Sequence, residues 1–413
     1  MRIFYGWIIV GAAFVTWAIS LGPRQAYSVF LLSFVDEFGW SRGLAAGAFS
    51  VHMVFYALGG LALGILVDRT GPRRVIAYST AGWALTLGLC SRIQSAWHLF
   101  AIFGVLGGVA TSGLAYVPNS TLLARWFVRY RGLAAGLSQS GVPLGGAVFL
   151  PLAQLAIGAF GWRMTYLGFG VLVAAAALPL ILVFLRDDPA AMGLSPDGDP
   201  PAPPSSGGTT GRPRAAAPFS GTGVPAGYWT VFAANIFRGM MIHGLLVHQV
   251  PYLVDVGYTR MAAASYFSLS SVLAVVGGFA AGGTSDRLGR ARTYAGINGL
   301  YVLGIVAVLL VRDPSQGVLV VLFSLATGLA TGGTGPVFAA LLADRLHGPR
   351  FGFLVGLQNI AFGAGATLGP LLAGVLFDAF GSYTAAFLAL AGASAASAGI
   401  IFTAARRPSP LSR

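Results

Sequence analysis

Lysine is missing altogether from this sequence, and all 25 of its basic residues are arginine. Acidic residues number only 12, charged residues make up 9% of the chain, and Cys90 is the single cysteine. Each scarcity excludes a class. One cysteine rules out a disulfide framework and any cysteine-based metal site. So low a charge content in 413 residues is incompatible with the two or three soluble domains that this length could otherwise supply. The net charge of +13 suggests a nucleic-acid surface, but such a surface needs its cations clustered on one soluble face, whereas these arginines punctuate apolar runs. No ten-residue alternation appears that would suggest a membrane barrel. The glycine-rich stretches 141–146 and 328–335 are not phosphate loops, because no strand precedes them and no lysine follows.

What remains is hydrophobic: 56% of the residues, in runs near the length that crosses a bilayer as a helix. Reading between charged or turn-rich breaks predicts an all-α integral membrane fold of twelve transmembrane helices. The first six lie near 6–34, 43–67, 75–91, 97–121, 132–158 and 163–185; the second six lie near 228–253, 262–284, 293–311, 317–342, 352–377 and 383–404. The first span is too long for a signal-peptide core and is read as a retained helix. The chain then divides into a six-helix bundle at 1–186, a linker at 187–226, a second bundle at 227–405 and a tail at 406–413. The linker is rich in proline, glycine and serine, a composition that cannot bury a core.

Arginine placement orients the spans. With the N-terminus taken as cytoplasmic, 18 arginines fall on that side and 5 on the other, so both termini and the linker are expected in the cytoplasm of a cell (inner or plasma) membrane. Two arginines are left over, Arg24 and Arg238, and both lie inside spans. The halves also repeat. Asp68-Arg69-Thr70-Gly71-Pro72-Arg73-Arg74 returns 218 residues later as Asp286-Arg287-Leu288-Gly289-Arg290-Ala291-Arg292. Gln139 returns as Gln358 after 219 residues, and Tyr5-Gly6-Trp7 is echoed by Gly227-Tyr228-Trp229 after 222. A near-constant offset at three places marks parallel repeats of six helices, a recurrent transporter plan.

An arginine at the bilayer centre costs roughly 2.5–3.5 kcal/mol on insertion scales, so it must face protein or water. The bland account is that Arg24 snorkels or bonds carbonyls freed by Pro23. Against it stands the position of the acids: all 12 lie at or beyond span ends, leaving no interior carboxylate to pair with either arginine. An anionic ligand is then the natural partner. Arg24 shares a helical face with Tyr27 and Ser28, and Arg238 with Asn235 and Gln249. Helix 4 carries a polar stripe of Ser112, Tyr116, Asn119 and Ser120; helix 10 carries Ser324, Thr327, Thr331 and Thr334. For any single hydroxyl, helix packing is the commoner role. Histidine is the one side chain here that titrates near neutral pH. His243 and His248 are therefore candidate proton-coupling residues, with His52 a weaker one, although a packing role is the better single reading of each.

The stretch Gly64-Ile-Leu-Val-Asp68-Arg69-Thr-Gly71-Pro-Arg73-Arg74, with its second copy at Asp286-Arg287, resembles the loop signature of the major facilitator superfamily. The resemblance covers essentially the whole chain. It implies two six-helix bundles rocking about a cavity lined chiefly by helices 1, 4, 7 and 10, with Asp68, Arg69, Arg73, Asp286 and Arg287 in gating loops. Further stretches resemble the monocarboxylate transporters and their bacterial oxalate/formate-type relatives: Tyr5-Gly-Trp7, Glu37-Phe-Gly-Trp40-Ser-Arg42, Gly161-Trp-Arg163, Pro189 to Gly198, Gly369-Pro370, and Phe377-Asp378 with Gly381-Ser-Tyr383. One departure stands out. Carboxylate-transporting relatives commonly carry arginine on helix 8 where this chain has Gly278, so that anchor does not carry over.

The sequence therefore leads to a secondary transporter of a small, monocarboxylate-like organic anion, not an enzyme and without a cofactor. Its anchors are Arg24 and Arg238, and Tyr27, Tyr116, Asn119, Gln358 and Asn359 complete the candidate binding set. Protons or a counter-anion would accompany the substrate, and the bilayer is the other partner; no nucleic acid is expected, and a monomer suffices. Two alternatives stay open: an exporter of amphipathic metabolites or drugs on the same fold, and an anion sensor that does not transport.

Overall fold

The computed structural model describes residues 4–198, 226–345 and 351–406. Most of the linker and the tail after Arg406 lie outside them. Among the described residues, ten helical stretches are long and apolar enough to cross a membrane. One of these, Arg131–Phe184, folds back at Gly161 (φ 77°) and supplies two spans. The 19-residue helix Pro72–Cys90 is the twelfth. We number the spans α1 (Tyr5–Phe38), α2 (Arg42–Thr70), α3 (Pro72–Cys90), α4 (Ala96–Trp126), α5 (131–160), α6 (162–184), α7 (Ala226–Asp255), α8 (Arg260–Leu288), α9 (Arg290–Leu309), α10 (Gly317–Arg345), α11 (Phe351–Phe380) and α12 (Thr384–Arg406). They form two six-helix bundles.

Glycine sets how closely the helices meet. A Cβ at Gly145 of α5 would stand 2.4 Å from the Ala18 carbonyl oxygen of α1; one at Gly365 of α11 would stand 1.9 Å from that of Ile236 on α7. In the same way Gly108 of α4 abuts the His52 carbonyl on α2, and Gly332 of α10 abuts that of Ala274 on α8. The pairs α1/α5 and α2/α4 thus recur as α7/α11 and α8/α10. Small residues let helix backbones approach in this way, which drives association where lipid removes any hydrophobic gain. The sequence repeat is therefore a packing repeat. The loop signature shows it as well: Gly71 (φ 88°, ψ 151°) and Gly289 (φ 87°, ψ 147°) end one helix and start the next in the same conformation, one that is open to glycine and strained for other residues.

Two proline-linked breaks matter for the site. Helix α1 is interrupted at Ala26 (φ −75°, ψ 1°), three residues after Pro23. Helix α4 passes through a wide turn at Leu99–Leu106 and breaks between Ser112 and Tyr116, two residues before Pro118. Both breaks lie beside polar residues: Arg24 and Gln25 on α1, and Ser112 and Tyr116 on α4.

The bundles meet at the face opposite the termini, called here the far face. There Arg42 pairs with Asp255 and Arg260 with Asp36, and Asp378 accepts the backbone N–H groups of Arg42 and Gly43. Deeper in, the Ser268 hydroxyl donates to the Ala147 carbonyl. Toward the terminal face Leu58, Leu61 and Ile65 of α2 are more than half exposed.

The first part of the linker is tied to the N-terminal bundle. The Asp197 carboxylate accepts the backbone N–H groups of Val128, Arg129 and Tyr130. Its slight burial opposes ionisation, but those three bonds and the Arg129 charge outweigh it and hold the carboxyl below the usual range. A depressed folded value stabilises the contact above the ordinary aspartate range, and the contact is lost as pH falls through the folded value. In hydrogen exchange, amides 128–130 are expected to be protected at neutral pH and to lose protection on acidification. Asp197→Ala should speed their exchange by about tenfold at neutral pH, the loss of one charge-assisted bond. Equal protection in the variant would refute the tether.

Candidate functional site

Arg24 sits at the α1 break with 9% of its surface exposed. Its guanidinium lies over the Tyr56 ring of α2, 5.3 Å from the centroid. Its Nε and Nη1 are buried and have no hydrogen-bond partner. Among the described residues, no aspartate or glutamate is buried. A buried, half-satisfied guanidinium costs several kcal/mol, so the fold holds Arg24 in a position that only an added acceptor would relieve. Other polar atoms on the same helix are also buried and unpartnered: the hydroxyls of Thr16, Ser20 and Ser28, four residues apart in series with Arg24, and Gln25 Oε1. Thr16, Ser20 and Tyr56 were not among the residues expected from sequence, although the four-residue spacing of 16, 20, 24 and 28 was visible.

Arg238 is better provided for. Half-buried on α7, it donates from Nε to Asn235 Oδ1 at 2.9 Å. It also lies over the rings of Phe338 (4.8 Å) and Phe362 (4.4 Å). Asn235 Nδ2 in turn donates to the carbonyl and Oε1 of Gln358, whose own Nε2 is buried without a partner. Arg238, Asn235 and Gln358 thus form one arm of polar groups, contributed by α7 and α11. His243, 6% exposed, lies within electrostatic reach of both Arg24 and Arg238. Its Nδ1 is 3.2 Å from the Gly239 carbonyl, and its ring faces Phe49 and Phe362.

The remaining residues expected from sequence lie elsewhere. Tyr27 is fully buried, donates to the Ala45 carbonyl at 2.6 Å and stacks on Phe103. Like Arg24 it faces α2, but it is packed among α1, α2 and α4 with its hydroxyl already bonded. Asn119 donates to Ser138 Oγ across α4 and α5. Tyr116 is 53% exposed just below the α4 break, and Asn359 is also exposed. The helix-10 hydroxyls of Thr327, Thr331 and Thr334 bond carbonyls of their own helix, the ordinary fate of threonine in a span. His52 is fully buried, with one ring nitrogen on the Phe103 carbonyl and the other on Thr111. His248 belongs to the far face. Of the loop residues, Asp68, Arg69 and Arg287 are exposed. Arg73 bonds the Leu182 carbonyl and Asp187, while Asp286 pairs with Arg290. At Gly278 a Cβ would meet only the Gly332 carbonyl at 3.5 Å, so space alone does not demand glycine there.

Two pseudo-symmetric bundles closed across one face, with a buried and unsatisfied cation between them, define a secondary transporter. The family model for the Major Facilitator Superfamily matches residues 7–325 and 250–413, and the chain belongs to that superfamily. Within it, the chain falls with the monocarboxylate transporters. It is 30% identical over 404 residues to monocarboxylate transporter 3 of Rattus norvegicus, covering 96% of this chain and 79% of that one. It is 27% identical over 400 residues to monocarboxylate transporter 13 of Bos taurus, covering 97% and 89%. Among solved structures, a bacterial homolog of the human lysosomal transporter Spinster, inward-facing and unoccupied, superposes with a TM-score of 0.76 at 17% identity over 99% of this chain and all of the other. The nucleoside transporter NupG gives 0.69 at 13% identity, covering 97% and 98%. Identities this low establish the shared fold alone.

Proposed function

We propose that the protein carries a small organic anion of the monocarboxylate kind across a cell membrane by alternating access, with Arg24 binding the carboxylate. The observation that carries this reading is the pair of buried, unpartnered Arg24 nitrogens in an interior whose described residues include no buried carboxylate. The sequence relatives, themselves monocarboxylate transporters, point the same way. Arg238, with Asn235 and Gln358, is the second arm, contributed by the other bundle. Tyr116 and Asn359, both exposed, are further donors available to the substrate. Tyr27 and Asn119 hold the lining helices in place, because their polar groups are already bonded within the N-terminal bundle. With 18 arginines assigned by the sequence to the side of the termini against 5 on the other, the far face closed by Arg42–Asp255 and Arg260–Asp36 is the outer one in this reading. A monomer contains every part this cycle requires.

A ligand that binds only the folded state raises apparent stability, by about 2.7 kcal/mol at one hundred times its dissociation constant. A melting screen of the purified protein over short mono- and dicarboxylates should show stabilisation by at least one of them. Stabilisation by amphipathic cations alone, with no response to any carboxylate, would replace this reading with that of an exporter. Binding without flux in proteoliposomes would point to a sensor.

A further inference from the structure

The far-face closure contains a titratable group at its centre. Arg42, the first residue of α2, directs both terminal nitrogens at the Asp255 carboxylate on α7, at 2.5 and 2.6 Å. Its Nη1 also donates to the Tyr383 hydroxyl at 3.0 Å, and the guanidinium lies 4.2 Å from the Phe377 ring centroid. Tyr383 connects the latch to His248: the hydroxyl is 3.0 Å from His248 Nδ1, and His248 Nε2 is 2.9 Å from the Pro370 carbonyl. The direction of each bond is dictated. A carbonyl only accepts, so Nε2 carries the hydrogen; arginine only donates, so the Tyr383 hydroxyl accepts from Arg42 and gives its own hydrogen to Nδ1. The network therefore runs from Asp255 through Arg42, Tyr383 and His248 to Pro370, and it is complete only when the imidazole is neutral.

His248 is completely buried in this closed arrangement. The charged and titratable groups around it are Arg42 from α2, Asp378 from α11, Tyr383 from α12, and Asp255 and Tyr252 on its own helix. Asp378 is already engaged by the backbone N–H groups of Arg42 and Gly43, and Asp255 by the Arg42 guanidinium. Both carboxylates are thus held at the seam by α2 groups, and the bond that protonation changes directly is the one between Nδ1 and the Tyr383 hydroxyl. A proton on Nδ1 turns an acceptor into a donor aimed at a hydroxyl that already accepts from Arg42. The hydroxyl hydrogen then loses its acceptor, and two cations share one oxygen. Arg42 and the Gly43 backbone belong to the N-terminal bundle and the other partners to the C-terminal bundle, so parting the bundles relieves that conflict.

We infer that His248 is the proton-binding residue of the far-face gate: the gate closes on a neutral imidazole, and protonation of His248 favours the gate-open state. The inference goes beyond the anion-binding reading and does not depend on it, because the gate is defined without reference to the substrate.

The test uses the full chain in lipid nanodiscs without substrate. Cys90 is replaced by alanine, and spin labels are attached at Gln94→Cys and Arg312→Cys, exposed far-face loop positions on opposite bundles. Pulsed dipolar spectroscopy then reads the distance between them. On acidification from about pH 8 to about pH 5.5, the range over which histidine titrates, the long-distance population should grow severalfold. His248→Gln keeps a donor for Pro370 and an acceptor for Tyr383, and should remain closed across that range. Tyr383→Phe removes one bond from the closed network and should show a larger open population already at pH 8. A pH-independent wild-type distance overturns the inference, as does an unchanged pH response in His248→Gln. Should that variant not fold, a Tyr383→Phe protein with the wild-type pH response overturns it instead.

Discussion

Replacing Arg24 by glutamine is expected to reduce substrate flux by about a hundredfold while leaving the protein folded and no less resistant to heat. A carboxylate loses about 1.5–3 kcal/mol for each charge-assisted hydrogen bond removed, and the two unpartnered nitrogens, Nε and Nη1, offer donors on separate edges of the guanidinium, so the loss of one such bond accounts for about a hundredfold. Stability should not fall, because the resting protein gains little from this guanidinium: its partner is Tyr56 alone among the contacts described, through the ring and the hydroxyl, and it bears the cost of a buried charge. Arg24→Lys restores the charge without the guanidinium and should recover only part of the flux. Arg238→Gln offers the contrast. That side chain is bonded to Asn235 and lies over two aromatic rings, so its loss should lower the melting temperature as well as the flux. Proteoliposome uptake and thermal unfolding of the three variants decide the matter. An Arg24→Gln protein that folds and transports at the wild-type rate would remove Arg24 from the site.

Gly332→Ala is expected to be the most damaging single-methyl change in the C-terminal bundle. The added carbon would stand 1.7 Å from the Ala274 carbonyl oxygen and 2.7 Å from the Gly278 nitrogen. Both are backbone atoms, so no rotamer change can make room and α8 must move bodily away from α10. Overpacking a tight core costs roughly 1–3 kcal/mol and occasionally more, and a backbone collision of this size belongs at or above the upper end. Gly335→Ala lies three residues further along α10, where a Cβ meets nothing within 4 Å, and should be neutral or slightly stabilising. Both proteins can be followed by the melting of their purified monodisperse peaks. Equal melting temperatures would mean that the two helices do not pack through Gly332.

The parts of this architecture that were legible in the sequence are those set by local composition. Twelve apolar runs give twelve spans because each peptide group in lipid must be satisfied within its own helix. The repeated Asp68 and Asp286 loops give two equivalent bundles, and Gly71 and Gly289 adopt one conformation as the repeat implies. The exclusion of acids from the spans foreshadowed the unpaired state of Arg24, since pairing requires a partner that the described interior does not contain. Periodicity gives a face but not its partners. Tyr27 faces α2 as Arg24 does, but its hydroxyl is already bonded to the Ala45 carbonyl and its ring stacks on Phe103. The polar stripe on α4 is divided by the break between Ser112 and Tyr116.

Charge count and hydropathy alone thus determined that the chain spans a membrane twelve times, repeats itself, and buries two arginines without acids. Only the tertiary structure decided which of those arginines is unsatisfied and which groups close the far face. Arg24 and Arg238 look alike in sequence, but the rings that engage Arg238, Phe338 and Phe362, come from α10 and α11, 100 and 124 residues further along the chain. Arg42, Asp255, Tyr383 and His248 likewise carry no sign in the sequence that they belong together. They become a gate only when two bundles meet, because hydrogen bonds act over about 3 Å and sequence separation says nothing of that distance.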